Sequence, residues 1–164
     1  MFFQKNRVKE FDWNYYLTQF FIPVSINVVS NSKLLEDNLF ILQIPRINLE
    51  EKVYNMDSSQ NYVDYHVQIL EGSNIQDDFL FLAAHSGNGR NSYFNRLVEL
   101  EIGDVIWIDK KTRRECFVVE ELFYILKTGY LEYKVEREQG ILYLITCSLE
   151  YNNKQLVVKA RLVD

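Results

Sequence analysis

From Leu39 onward the chain alternates short runs of apolar, β-branched and aromatic residues with clusters of turn-forming residues, a pattern of strands rather than helices. The runs predict strands near 39–44, 47–54, 78–84, 104–109, 114–126, 141–147 and 155–163, with a weaker one near 64–69. Ser86-Gly87-Asn88-Gly89 is the strongest turn signal. Behind it, Tyr93, Phe94, Leu97 and Leu100 recur at helical spacing, which predicts a short helix over 91–100 capped by Asn91. Residues 1–38 read differently: Phe2, Phe3, Phe11, Trp13, Tyr15, Tyr16, Phe20 and Phe21 precede a polar stretch, and Pro23 ends any helix there. The expected organisation is an appendage over 1–38 and one β-rich domain over 39–164, with no internal repeat.

Composition narrows the function. At 164 residues the chain is long enough for one sizeable core. Its 11 Phe, 11 Tyr and 2 Trp against 6 Gly and 2 Pro exclude a low-complexity segment. Net charge is −5 with both signs interspersed, so no basic field exists to gather a phosphate backbone, and nucleic acid is excluded as a partner. No run of about 20 apolar residues is present to span a bilayer. Nor does the start of the chain read as a secretory signal.

The candidate chemistry lies at the ends of two predicted strands. Phe79-Leu80-Phe81-Leu82-Ala83-Ala84 runs into His85, and Ile141-Leu142-Tyr143-Leu144-Ile145-Thr146 runs into Cys147. A thiol attacks carbonyl carbon as the thiolate, and near neutral pH a histidine supplies the proton transfer that this requires. Histidine first and cysteine late is the reverse of the papain-like order. Cys116 reads as a free, half-buried strand residue that acts as a small hydrophobe. His66, in a polar stretch with Asp64 and Tyr65, reads as a surface residue. Cysteines and histidines at 66, 85, 116 and 147 lack the paired spacing of a zinc site.

The flanks of these residues carry a resemblance to a known family. Ala84-His85-Ser86 follows a strand, Leu144-Ile145-Thr146-Cys147 ends one, and Gln155-Leu156-Val157-Val158 opens the last. Ile44-Pro45-Arg46-Ile47-Asn48-Leu49 lies early, and Leu100, Gly103, Asp104 and Ile106 form a Leu-x-x-Gly-Asp-x-Ile element. Together these five elements, over residues 39–164, resemble the sortases, the surface cysteine transpeptidases of mainly Gram-positive bacteria. The resemblance implies a mainly β, eight-stranded barrel with short helices. It implies that Cys147 holds the acyl part of a Leu-Pro-x-Thr-Gly-like sorting signal as a thioester, while His85 protonates the leaving amine and deprotonates the incoming one. The implied partners are surface or pilin proteins with a C-terminal sorting signal, and a peptidoglycan-precursor or lysine amine as acceptor. The implied location is the outer face of a Gram-positive-type cell envelope, with membrane contact only through an anchor that this chain lacks.

One position departs from the family pattern. Sortases carry an arginine directly before the last Val-Val strand, and here Gln155 stands there. Its amide can donate to an oxyanion, without charge, from a side chain expected to face a cleft. Strand alternation groups Gln155 with Val157, Lys159 and Arg161 on one face. Two other functions remain open: a catalytically weak module that binds sorting signals, and a cysteine hydrolase that releases the acyl group to water. No cofactor is needed for any of the three. Some sortases bind calcium, and Asp77 and Asp78 with Glu132, Glu136 and Glu138 are its candidate oxygen ligands, although a solvated acidic rim is the preferred reading because they lack the fixed spacing of a calcium loop. Asp12-Trp13 faintly echoes the lid of pilin-type sortases, against which a plain packing helix is the preferred reading. Residues 127–140 correspond to the loop that shapes signal recognition in the family.

Overall fold

The structure is a computed structural model that describes residues 38–128 and 139–163. The appendage, its lid-like Asp12-Trp13, most of the 127–140 loop and the acids Glu132, Glu136 and Glu138 lie outside the described residues. Eight strands follow one another: β1 Asn38–Ile44, β2 Leu49–Tyr54, β3 Gln68–Ile69, β4 Phe79–Ala83, β5 Val105–Lys110, β6 Arg114–Leu126, β7 Ile141–Cys147 and β8 Lys154–Val163. They form one sheet in the order β2-β1-β5-β6-β8-β7-β4-β3. A bridge between Val53 and Val67 brings its two outer edges together, so that the sheet curls into a nearly closed barrel.

Two apolar clusters follow from the two-residue period of the strands. The barrel interior holds Leu42, Leu82, Ile108, Phe117, Leu144 and Val158, each at or below 1% exposure. Alternate residues of the same strands, Phe79, Phe81 and Ala83 of β4, Ile141, Tyr143 and Ile145 of β7, and Val157 of β8, form a second cluster on the opposite face. Phe81 stacks on Tyr143 at 5.1 Å between ring centroids. With both faces of β4 and β7 apolar, their sequences read as continuous hydrophobic runs, as expected for strands buried on both sides.

Three expectations change. The strand expected from 47 starts instead at Leu49, because Pro45–Ile47 forms a 3-10 turn, after which Asn48 takes a left-handed conformation at φ 52°. The weak strand near 64–69 shrinks to Gln68–Ile69. The helix expected over 91–100 is a series of turns with a single 3-10 element, Leu97–Glu99. Phe94, Leu97 and Leu100 are buried at a spacing of three, which matches the 3-10 repeat better than the α repeat. Asn91 does not cap a helix, because its side-chain amide donates to the carbonyl of Asp64.

Among the described residues every ladder between strands is antiparallel except β4 with β7. That exception positions the site, because parallel neighbours finish at the same end of the barrel.

Candidate active site

In the β4–β7 ladder Ala83 pairs with Ile145, so two further steps along each strand bring His85 beside Cys147. Three hydrogen bonds carry the alignment past the end of the ladder. The Ala84 amide donates to the Ile145 carbonyl at 3.3 Å. The Thr146 hydroxyl donates to the Ala84 carbonyl at 2.8 Å, and the Ser86 hydroxyl to the Cys147 carbonyl at 2.7 Å. On the other flank, β8 pairs antiparallel with β7 and sets Gln155 opposite Cys147. The three expected site residues thus come together from three adjacent strands. By strand alternation Cys147 and Gln155 share the face of the second cluster, while His85 lies two residues past the end of β4.

Their environments differ. Cys147 is a free thiol, partly exposed. The His85 side chain is 36% exposed, and its Nε2 lies 2.7 Å from Oδ1 of Asp64. Because a carboxylate only accepts, the proton of the neutral ring sits on Nε2 and the lone pair on Nδ1. Gln155 corrects the expectation of a cleft-facing side chain: it is only 4% exposed. Its Nε2 is buried and has no hydrogen-bond partner among the described residues. A buried donor without a partner is costly to fold and rare in native proteins, so an explanation is needed for it.

A cavity of about 270 Å³ opens beside Cys147. Its walls include Phe94, Val98, Tyr124, Leu149 and Leu156, with Glu150 as the charged member. Val98 and Leu149 remain 57% and 59% exposed, so an apolar rim faces solvent next to the thiol. Tyr124 packs edge-on against Tyr151, and Lys154 lies over the Tyr151 ring at 4.5 Å.

Other candidates take structural positions. Cys116 is half-buried on β6 and pairs with Val163 at the far end of β8, whereas Cys147 pairs with Gln155 at its start. Eight strand residues separate those ends, about 26 Å at roughly 3.3 Å per residue, far beyond the reach of a disulfide. His66 was expected at the surface and is instead half-buried, its Nδ1 2.8 Å from Oε1 of Glu51. Arg161 is bonded to Glu120 and stands well away along β8. Asp78 joins a charge cluster at the opposite end of the barrel, in which it, Glu115 and Lys110 are largely buried and Arg113 is exposed. The Asp78 carboxylate, already matched by two cations, is a poor calcium ligand. Asp77 bonds to Asn74 and Gln139. Sequence reasoning missed the contact between Asp64 and His85: Asp64 stood out only as a polar neighbour of His66.

Together these elements define a β-barrel protein, nearly closed and eight-stranded, in which the parallel strands β4 and β7 run toward His85 and Cys147 at the same end. Residues 42–163 match the sortase domain model, and the chain belongs to the sortase family. No curated protein matches it in sequence. Among solved structures it is similar to sortase C of Streptococcus pneumoniae, with 17% identity and a TM-score of 0.64 over 79% of this chain and 70% of that one. Sortase C-1 of Actinomyces oris matches at 19% identity and a TM-score of 0.65, covering 79% and 76% of the two chains. Sortase C1 of Streptococcus suis matches at 23% and 0.65, covering 78% and 74%. Among the described residues no helix is long and apolar enough to cross a membrane.

Proposed function

We propose that the protein is a cysteine transpeptidase that cleaves a Leu-Pro-x-Thr-Gly-like sorting signal and passes the acyl part to an amine. The Cys147 thiolate attacks the threonine carbonyl carbon, and the carbon–nitrogen bond breaks as His85 gives its proton to the departing glycine amine. A thioester on Cys147 remains. An incoming amine, deprotonated by His85, attacks it and releases the thiolate. Gln155 Nε2 donates to the oxyanion of each tetrahedral intermediate. These steps draw on no cofactor.

The observation that carries the reading is the shared end of β4, β7 and β8, where the register sets Gln155 opposite Cys147, His85 follows β4, and the buried Gln155 amide has no partner among the described residues. The apolar rim beside Cys147 suits a peptide with apolar side chains, held at the outer face of a Gram-positive-type envelope. Streptococcus pneumoniae sortase C is described in terms of pilin substrate specificity, which makes a pilin lysine a natural acceptor to test beside a peptidoglycan-precursor amine. A second reading, a module that binds signals with little turnover, draws on the uncharged Gln155 where the family has arginine.

The test is a sorting-signal peptide library supplied with glycine and lysine amine acceptors, with products and intact protein read by mass spectrometry. An acyl adduct on Cys147 and amine-linked product are expected, both absent in Cys147→Ala and nearly so in His85→Ala. Product in Cys147→Ala would refute the reading. Reversible binding without an adduct would favour the module, and hydrolysis without stimulation by amines the hydrolase.

A further inference from the structure

The residues before β3 hold a carboxylate against His85, and the contact is built from both sides. Asp64 follows Val63, which is only 4% exposed and anchors that turn in the core. The turn is closed by amides of Tyr65 and His66, both donating to the Tyr62 carbonyl at 3.0 and 2.9 Å. Two residues from the loop after His85 reach back to it. Asn91 donates to the Asp64 carbonyl, and the Tyr93 hydroxyl donates to the Tyr65 carbonyl at 3.1 Å. The segment that carries His85 therefore clamps the backbone at the aspartate and at the residue after it, and Oδ1 of Asp64 meets Nε2 of His85 at 2.7 Å.

We propose that Asp64 is a positioning residue for His85: it holds the ring in the Nε2–H tautomer, so that Nδ1 is the nitrogen that exchanges protons with Cys147 and with the two amines. The inference rests on the transpeptidase reading for its consequence in turnover, though not for the tautomer itself. A neutral imidazole has one donor and one acceptor nitrogen, and the carboxylate takes the donor. When Nδ1 accepts a proton from Cys147, the ring becomes an imidazolium whose charge lies directly against the Asp64 carboxylate. The carboxylate does not itself take the proton, and its role is orientation and charge compensation. Both side chains are 36% exposed, so water competes for the contact and the effect falls below that of a fully buried triad.

The test compares wild type, Asp64→Asn and Asp64→Ala on the whole chain. In long-range proton–nitrogen NMR spectra, wild-type His85 is expected as the Nε2–H tautomer, and Asp64→Ala as a mixture. With the sorting-signal peptides, Asp64→Ala should lower kcat about 10- to 100-fold with KM within about twofold, because a proton carrier and not a binding contact is disturbed. Asp64→Asn, which retains an acceptor without charge, should fall between the two. A tautomer unchanged in Asp64→Ala, or a kcat within about twofold of wild type in a protein that turns over, overturns the proposal. If wild type proves inactive, the transpeptidase reading fails while the NMR comparison still decides for or against the role of Asp64.

Discussion

Replacing Gln155 by leucine should make the protein more stable and less active at once. The side chain is 4% exposed, and its Nε2 is buried with no partner among the described residues. An unmet buried donor costs about 1–3 kcal/mol, a cost that leucine of similar volume removes. Some of that gain is lost to imperfect packing, because the branched side chain must fit between Cys147 on β7 and Ile125 on β6. A net stabilisation of about 1–2 kcal/mol remains, equivalent to roughly 2–8 °C in Tm for a chain of this size. Over the same substitution the acylation rate should fall about 10- to 1000-fold, the range for removal of one oxyanion donor. Denaturant titration gives the first quantity and single-turnover acylation of Cys147 the second. A loss of stability above about 1 kcal/mol would mean that the amide is satisfied in solution, and the argument from the orphan donor would collapse. An unchanged acylation rate would remove Gln155 from the chemistry and leave backbone amides near Cys147 as the donors. Such opposition of stability and activity is typical of a polar group retained for function.

Other expectations follow from the same geometry. Thr146→Val removes the hydroxyl that ties β7 to the Ala84 carbonyl, and should cost about 1–2 kcal/mol in denaturant titration. Lys110→Met leaves Asp78 and Glu115, 8% and 5% exposed, with Arg113 as their remaining cation. It should destabilise by about 3 kcal/mol, yet leave acylation unchanged because the cluster lies at the other end of the barrel. Cys116→Ala should halve the thiol count by alkylation and preserve the acyl adduct; an adduct found on Cys116 instead would overturn the site assignment.

Periodicity along the chain was enough to place most strands, because a two-residue alternation is local and the runs ending at His85 and Cys147 are apolar on both faces. The same locality explains which residues could be named in advance: His85, Cys147 and Gln155 each sit at the end or start of a strand with a recognisable flank. Residues 91–100 were misread because an apolar spacing of three fits a helix on paper, whereas Asn91 is drawn off to a carbonyl 27 positions away. What only the tertiary structure decided is pairing. The parallel register of β4 with β7 converts two distant strand ends into one site. Strand order alone sets Gln155 opposite Cys147 and buries its amide, where alternation could say no more than which face it shares. The Asp64–His85 contact spans 21 positions between irregular segments. Such segments have no repeat from which a partner can be read, so their geometry appears only once the barrel has closed around them.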